Sequence, residues 1–371
     1  MPEALLVQPD ISFLKELAAF GGGDLKKCYQ CGACSVVCTL SPEDSPFPRK
    51  QMIEAQWGLK ERLVRDPAVW LCHNCGECTS QCPRGARPGD VLGAVRREAI
   101  KHFAWPGFMG RLVASPKALL LLFLLPVLVF AAIALWAPKG AATPEMEFAN
   151  VFPIGVLEPL FFIVAGLVVV AFAVGLARFA RGLGGGAMLP GLVGALGVIL
   201  AHKRFADCGR EKTRYLGHLL TLWAFAGLAL MGTMVGIGTM TGRMHTPLAL
   251  SDPWKVFANL CAVAILIGCV LLVVDRIKDP AKRAASTYFD WFFLLVLAGV
   301  VATGILSELL RLAQAAVMYA VYFVHLVLIL ALFLYAPYCK FAHLAYRTVA
   351  MAANRAGAEG AGGREIPTRS A

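Results

Sequence analysis

Charged side chains are scarce in this sequence of 371 residues: Asp, Glu, Lys and Arg make up 16% of it, whereas hydrophobic residues make up 58%. A soluble protein of this length rarely has so apolar a composition. Acidic residues are fewer than basic ones, 24 against 35, and the formal net charge is +11. No basic helix with base-reading side chains accompanies this charge, so the sequence does not predict nucleic-acid binding.

Several motifs of catalysis and export are also missing. Residues 1–20 contain no basic start followed by an apolar core and no twin arginine, so no secretory signal is predicted. No P-loop, Ser–His–Asp arrangement or flavin motif is visible, and the glycine-rich stretch 182–186 precedes no strand–helix unit. No two cysteines are adjacent, which excludes a Cys-Cys cluster motif for disulfide reduction from this chain. We therefore predict a subunit that is not catalytic alone.

Eight of the twelve cysteines form two runs with the same spacing, C-x2-C-x2-C-x3-C: Cys28, Cys31, Cys34 and Cys38, then Cys72, Cys75, Cys78 and Cys82. This is the ligand spacing of bacterial two-cluster ferredoxins, in which the fourth cysteine of each run binds the other cluster. The pattern predicts two [4Fe–4S] clusters, the first held by Cys28, Cys31, Cys34 and Cys82, and the second by Cys72, Cys75, Cys78 and Cys38.

Two other uses of these cysteines fit the pattern less well. A disulfide framework needs an oxidising compartment, which the missing secretory signal argues against. Structural zinc needs four ligands for each ion and seldom has this spacing, in which three cysteines at intervals of three residues are followed by a fourth. The remaining cysteines are predicted to be packing residues or unpaired thiols: Cys208, Cys261, Cys269 and Cys339.

Long apolar runs account for the unusual composition. Six of them are long enough to cross a hydrocarbon core, which takes about 20 helical residues: 117–137, 155–180, 215–240, 256–275, 288–310 and 316–338. A seventh, 188–201, is too short, and predicts an interfacial or buried segment. Together with the cysteine runs, the spans predict a mainly α protein: an α-helical two-cluster ferredoxin-like domain at 1–100, a linker at 101–116, a six-helix transmembrane domain at 117–347 and a disordered tail at 348–371.

Basic residues predict how the spans are oriented. The loops 178–214 and 276–287 hold seven and four Lys or Arg, whereas the opposite loops 138–154 and 241–255 hold one and two. Positively charged loops stay on the cytoplasmic side. We therefore predict a multi-pass protein of the inner membrane, with both termini and the clusters on the cytoplasmic side.

Three histidines in or beside the spans are candidate haem ligands, because an ionisable group within a membrane is costly and marks a functional site. His218 and His343 both lie near the cytoplasmic edge, and two imidazoles from facing helices can hold a b-type haem. Arg214 and Arg347, each one turn from one of these histidines, are candidate contacts of its propionates. For each histidine the alternative is a buried side chain bonded to a carbonyl.

His325 is the candidate ligand of a second haem. On a continuous helix it would share a face with His343 and stand about 27 Å from it, a spacing that suits two haems across a bilayer. Its partner stays open, and His202 is a further candidate ligand of the first haem. The candidates for the partner are Met231, Met234 and His245.

The segment from His325 to Arg347, HLVLILALFLYAPYCKFAHLAYR, resembles the last helix of the respiratory nitrate reductase gamma family. In that family the two matching histidines bind haem. The second helix of the family carries two histidines ten residues apart. His218 matches the first, but Leu228 stands in place of the second.

Residues 25–347 as a whole resemble the C-type membrane component of the quinone-interacting membrane-bound oxidoreductase complexes. That component is similar to the small two-cluster subunit of heterodisulfide reductase fused to a cytochrome b. The resemblance implies electron transfer between menaquinone, b-type haem, two [4Fe–4S] clusters and flavoprotein subunits related to the A component of heterodisulfide reductase. It further implies an indirect connection to adenylylsulfate reductase, and thus a role in dissimilatory sulfur metabolism.

Three alternatives stay open at this point. A heterodisulfide-reductase-like or sulfite-reduction-associated complex would need a partner that carries the Cys-Cys motif. The chain would also suit the membrane anchor of a glycerol-phosphate or formate type dehydrogenase. A redox-sensing membrane protein is a different class, but a sensor would usually append an output domain.

Overall fold

The computed structural model describes residues 8–42, 45–137, 145–184, 188–202 and 212–360. Helices make up most of these ranges, and they contain no β-strand, so the predicted mainly α class is confirmed. Helices of the cysteine-containing region come first and six long apolar helices follow.

Within residues 8–42 and 45–115, eight α-helices precede the first membrane span: α1 (Ile11–Leu17), α2 (Ala33–Val36), α3 (Arg49–Gln56), α4 (Lys60–Val64), α5 (Ala68–Leu71), α6 (Glu77–Ser80), α7 (Pro88–Phe103) and α8 (Gly107–Ala114). The Asp10 side chain caps α1 by accepting the backbone N–H of Phe13 at 3.0 Å. Pro88 begins α7. The first N–H groups of a helix have no partner within it, so the missing N–H of proline costs no hydrogen bond at this position.

The residues predicted as a linker, 101–116, are packed rather than extended. They contain the end of α7 and the whole of α8, and Val113 is completely buried. Arg97 of α7 donates to the Ala114 carbonyl at 2.5 Å, and its guanidinium lies 3.5 Å from the centre of the Phe20 ring. These contacts fix α8 against the cysteine-containing region.

In the part of the chain that the structure describes, six helices are long and apolar enough to cross a membrane, as predicted: Pro116–Trp136, Ile154–Gly182, Lys212–Met240, Pro253–Lys278, Tyr288–Leu312 and Met318–Tyr338. We number the helices of this half α9 (Leu119–Trp136), α10 (Ile154–Gly182), α11 (Leu189–Leu200), α12 (Lys212–Met240), α13 (Pro253–Lys278), α14 (Pro280–Ala285), α15 (Tyr288–Leu312), α16 (Met318–Tyr335) and α17 (His343–Gly360).

Small residues let neighbouring spans approach closely. The most extensive pairing joins α12 to α13, and a Cβ added at Gly268 would lie only 2.5 Å from Thr221 Oγ1. The Thr221 hydroxyl is satisfied within its own helix, since it donates to the Gly217 carbonyl at 2.7 Å. Close helix packing through small residues is the usual arrangement where lipid supplies no hydrophobic driving force between helices.

The chain stays helical well past residue 347, where the sequence predicted a disordered tail. Helix α17 continues to Gly360 and buries Ala350, Met351 and Ala352. The short apolar segment 188–201 forms α11, which packs on this part of α17; a Cβ at Gly191 would lie 2.5 Å from the Ala352 carbonyl oxygen. Alanine favours helix, and packing on α11 supplies the burial that the Ala-rich sequence did not reveal. Residues 361–371 lie outside the described part of the chain.

The segment from His325 to His343 is not one continuous helix, which corrects the predicted geometry of these two histidines. Helix α16 ends at Tyr335, two short 3-10 turns follow at Ala336–Tyr338 and Lys340–Ala342, and α17 begins at His343. Cys339 between the turns is extended, with φ −107° and ψ −172°. Pro337, which cannot donate a backbone hydrogen bond, contributes to the break. The expected shared face and 27 Å spacing therefore do not apply.

Candidate functional site

The two cysteine runs fold into the same local structure. In each run the residue before the second cysteine and the glycine after it have positive φ: Gln30 (66°) and Gly32 (87°), then Asn74 (54°) and Gly76 (86°). A four-residue helix, α2 or α6, starts immediately after each glycine. Glycine and asparagine adopt this left-handed backbone at low cost. Each run thus turns back on itself, which brings its first three cysteines around one volume.

The fourth cysteine of each run lies beside the other run. Cys28, Cys31, Cys34 and Cys82 line one cavity. Burial, together with the nearby thiolates of Cys72 and Cys75, raises the pKa of Cys38 to about 11. Burial likewise raises the pKa of Cys78 to about 12, with contributions from Cys72, Cys75 and Cys38. The structure therefore brings together the two sets of four that the spacing predicts.

Each set fits a cluster of several iron atoms. No group of three or more His, Cys, Asp or Glu within the described ranges is placed to hold a single metal ion. The ligands of a four-iron cube stand further apart than those of one ion. Eight thiols in two sets of four are the donor set of two [4Fe–4S] clusters.

Hydrogen bonds to the sulfurs add residues that the spacing did not reveal. Gln30 Nε2 lies 3.4 Å from Cys28 Sγ, and the backbone N–H groups of Asn74 and Ala86 donate to Cys72 Sγ and Cys82 Sγ at 3.3 Å each. Hydrogen bonds of this kind help set the reduction potential of a cluster. The sequence carries no pattern for them, because they depend on the backbone turns.

The hydrogen bond of His343 leaves one of its two ring nitrogens available to a metal. Its Nδ1 donates to the Lys340 carbonyl, which leaves Nε2 with its lone pair. Burial lowers the pKa of His343 to about 4, so the ring is neutral at physiological pH, which is the form that binds iron.

His218 lies close to His343. The charges of Arg214, His343, Lys340 and His202 all act on it. The side chains of His218 and His343 are both partly exposed. The structure thus places the two predicted histidines near each other, on α12 and α17, and haem binding by this pair stays a prediction.

An aromatic cluster beside His343 was missed by the sequence reasoning. Phe341 is at its centre, with ring centroids 5.3 Å from Phe225, 5.8 Å from Phe293 and 6.4 Å from Phe172. The four residues come from four separate segments, so no local pattern links them. Such a cluster would supply an apolar lining beside a cofactor held by His343.

The two arginines that were predicted to contact haem propionates reach instead toward the second cysteine run. Arg214 donates to the carbonyls of Asn74 at 3.1 Å and His73 at 3.4 Å. Arg347 Nη2 lies 2.7 Å from His73 Nδ1 and 3.4 Å from the Leu71 carbonyl. A guanidinium has five N–H donors, so a propionate contact stays a prediction for both.

His325 packs on α15. Its Nδ1 lies 3.1 Å from Thr303 Oγ1, and a Cβ on Gly304 would lie 2.8 Å from its Cε1. Within the described ranges all its polar and ring contacts lie on α15 and α16, whereas Met231 and Met234 belong to α12. None of these described polar or ring contacts joins His325 to a second candidate ligand, so its partner stays a prediction.

His202 and His245 occupy positions at the ends of helices. His202 follows α11 with φ 49°, and its ring centroid lies 6.4 Å from that of Tyr215. Residues 203–211, which include Cys208, lie outside the described part of the chain. His245 lies in the turn between α12 and α13.

Large buried aromatic residues form the contact between the N-terminal part of the chain (8–115, called the soluble half here) and the membrane half (116–360). Trp70 stacks on Tyr346, with ring centroids 5.4 Å apart and planes 18° apart, and Phe179 of α10 packs edge-on against Trp70 at 5.9 Å. All three are at most 2% exposed. Trp70 lies two residues before Cys72, and Tyr346 lies three residues after His343. This contact therefore joins the segment of a candidate cluster ligand to the helix of a candidate haem ligand.

Comparison with known proteins also distinguishes the cysteine-containing region from the membrane half. A family model described as a 4Fe-4S dicluster domain matches residues 24–86. The C component of the H(2):CoB-CoM heterodisulfide,ferredoxin reductase of Methanothermobacter thermautotrophicus is 39% identical over 101 residues, 27% of this chain and 52% of that protein. A protein of Archaeoglobus profundus that is named as similar to the C component of heterodisulfide reductase is 38% identical over 92 residues, 24% and 47% of the two chains.

A third relative matches the membrane half as well. Citrate utilization protein B of Escherichia coli is 25% identical over 310 residues, 76% of this chain and 79% of that protein. The chain spans about half the length of the heterodisulfide reductase relatives. No solved structure matches. The N-terminal region is thus similar to the C component of heterodisulfide reductase, and the rest of the chain is similar to citrate utilization protein B.

Proposed function

We propose that this protein is the membrane electron-transfer subunit of an oxidoreductase complex, which passes electrons between menaquinone, b-type haem, two [4Fe–4S] clusters and flavoprotein partners related to the A component of heterodisulfide reductase. The observation that carries the proposal is the Trp70–Tyr346 contact, which fixes the helix of His343 against the segment that leads into Cys72. Clusters and haem, when bound, exchange single electrons. The tight aromatic packing attaches the segment of one candidate site to the segment of the other.

The residues of each site would have distinct tasks. Cys28, Cys31, Cys34 and Cys82 would hold one cluster, and Cys72, Cys75, Cys78 and Cys38 the other. His218 and His343 would hold a haem, and the Lys340 carbonyl would keep the His343 tautomer fixed. His325 would serve a second haem or a quinone near the opposite side of the membrane.

Loop charges support the proposed orientation. The described loop between α13 and α15 carries Lys282 and Arg283, with Arg276 and Lys278 at the end of α13, whereas 241–252 carries only Arg243. The positive-inside rule then puts the cluster domain in the cytoplasm. Labelling of single cysteines introduced at 243 and 283 in intact cells tests this, because only the first should react with an impermeant reagent.

Cofactor content tests the proposal as a whole. Protein purified from membranes should contain about eight iron atoms in clusters and a b-type haem band in reduced-minus-oxidised spectra. His343→Ala should remove the haem that His218 shares, whereas His102→Ala, at a histidine of α7 beside Glu61, should leave the b-haem band unchanged. A spectrum without b-haem in the unaltered protein would overturn the haem assignment.

The identity of the partner proteins distinguishes two candidate roles. A connection to adenylylsulfate reductase in sulfur metabolism follows from the resemblance to the quinone-interacting oxidoreductase complexes. The match of 76% of the chain to citrate utilization protein B favours a second candidate, a role in citrate utilization. Co-purification from native membranes distinguishes them: flavoproteins similar to the A component of heterodisulfide reductase support the first role, and proteins of citrate utilization support the second.

A further inference from the structure

We propose that the cluster held by Cys72, Cys75, Cys78 and Cys38 is the membrane-side cluster, and that Arg214, Arg347 and His73 are the positioning residues that connect it to the histidine site. This rests on the proposed function and assigns an order to its two clusters. The cluster held by Cys28, Cys31, Cys34 and Cys82 then becomes the outer one, which exchanges electrons with the partner.

Both arginines bind the same short segment. Arg214 lies one turn before His218, and Arg347 lies one turn after His343, but their guanidinium groups converge on residues 71–74. That segment contains Cys72, which is 8% exposed. Two cations from two different membrane-side helices thus hold the backbone on both sides of one cluster ligand.

The connection continues to the sulfur. Asn74, whose carbonyl accepts from Arg214, donates its own N–H to Cys72 Sγ at 3.3 Å. His73 Nδ1 lies 2.7 Å from Arg347 Nη2, and since a guanidinium only donates, Nδ1 is the acceptor in this contact. The proton of the neutral His73 ring is therefore on Nε2.

The other set of cysteines has different surroundings. Its cavity is lined only by residues between Cys28 and Pro88. Each set has one exposed cysteine, Cys31 here and Cys75 in the other set. The difference between the sets is therefore the contact with the membrane-side helices, which the lining of this cavity lacks.

The arrangement has a direct electrostatic consequence. One electron passes at a time between the membrane-side donor and the cluster; the one that gives it is oxidised, the one that takes it is reduced, and no bond forms or breaks. A reduced cluster carries one more negative charge, so nearby guanidinium groups favour it and raise its reduction potential. Arg214 and Arg347 should therefore make the membrane-side cluster easier to reduce.

Redox titration followed by electron paramagnetic resonance tests this on the complete purified protein. The signals of the two clusters are first assigned by Cys75→Ser and Cys31→Ser, each of which should remove one. Arg347→Gln and Arg214→Gln should each shift the signal lost in Cys75→Ser to a more negative potential and leave the other unchanged. Arg347→Lys, which keeps the charge, should shift it less.

Arg178→Gln is the matched control, because Arg178 also reaches out of the bundle to a backbone carbonyl, that of Ala104 at 3.3 Å, but not beside a cysteine run. It should leave both potentials unchanged. A shift of the signal lost in Cys31→Ser, or no shift of either signal in Arg347→Gln and Arg214→Gln, would overturn the proposal.

Hydrogen exchange gives a second readout that needs no electron transfer. Arg347→Gln should increase amide exchange in residues 71–76 relative to Arg178→Gln, whereas unchanged exchange would show that the contact positions nothing. A protein that lacks haem but shows the potential shift would disprove the proposed function and leave the cluster order intact, so the two failures are distinguishable.

Discussion

The cysteine half and the histidine half of this molecule encode their sites differently. In the cysteine half, six of the eight candidate ligands lie in two seven-residue stretches, and the backbone turns that arrange them are local. In the histidine half, the two candidate ligands are 125 positions apart, and only the tertiary arrangement of α12 and α17 places them near each other. A site built from a local turn survives changes elsewhere in the chain, whereas a site built from distant helices depends on every contact that fixes them.

The largest effect is expected from substitution of the fourth cysteine of each run, which lies beside the other run. Cys38→Ser should abolish the cluster of the second run, and Cys82→Ser that of the first, because each fourth ligand serves the other run. Iron content should fall by about half in each variant. Electron paramagnetic resonance should show that Cys38→Ser removes the same signal as Cys75→Ser.

Cys261→Ser is the control for those two variants, since Cys261 is buried in α13 far from the runs in sequence. It should retain both signals. If Cys38→Ser and Cys31→Ser removed the same signal, each run would hold its own cluster and the interleaved arrangement would be wrong.

The junction between the halves offers the next largest effect. Trp70→Ala should destabilise the protein by about 3–5 kcal/mol, because it leaves a cavity between Tyr346 and Phe179. Unfolding in detergent measures this. Trp57→Ala, at a tryptophan that is 55% exposed, should change the free energy of unfolding little. Equal losses in both variants would show that the junction adds no stability of its own.

A smaller effect is expected at the other histidine. Gly304→Ala places a methyl group 2.8 Å from His325 Cε1 and forces the ring to move, at a cost of about 1–3 kcal/mol. Gly166→Ala is the control on α10, where an added Cβ meets nothing within 4 Å. Absorption spectra of the two variants then show whether His325 takes part in haem binding: a change in Gly304→Ala alone supports it, and identical spectra contradict it.

The smallest effect concerns the cap of α1. Asp10→Ala should cost about 1 kcal/mol at neutral pH. The Ser12 hydroxyl and the Phe13 N–H lower the pKa of Asp10 in the folded protein. A lowered pKa means that the stabilisation is present above the ordinary aspartate value and is lost as the pH falls through the folded value. The difference in unfolding free energy between the variant and the unaltered protein should therefore shrink below about pH 4; a difference that persists there would contradict the capping role.

The sequence predicted the parts of this structure that repeat or extend along the chain. The cysteine spacing indicated which thiols would come together, and the apolar runs predicted six spans to within a few residues. These signals are local: a turn needs a few residues, and a span needs about 20 apolar ones.

Features that depend on tertiary contact escaped the sequence reasoning. The helix of 348–360 needs α11 as its packing partner, and the arginines beside His218 and His343 turned toward residues 71–74, which are some 140 and 276 positions away. The break after Tyr335 was also missed, because an apolar segment with one proline is compatible with a continuous, kinked span.

That break has a mechanical consequence. Two 3-10 turns and the extended Cys339 separate α16 from α17, so the last membrane helix and the helix of His343 can be displaced independently of each other. Lipid thickness acts on the depth and tilt of α16, and with it on His325. His343 is instead tied through Tyr346 and Arg347 to the soluble half. A change of membrane composition should therefore displace His325 more than His343.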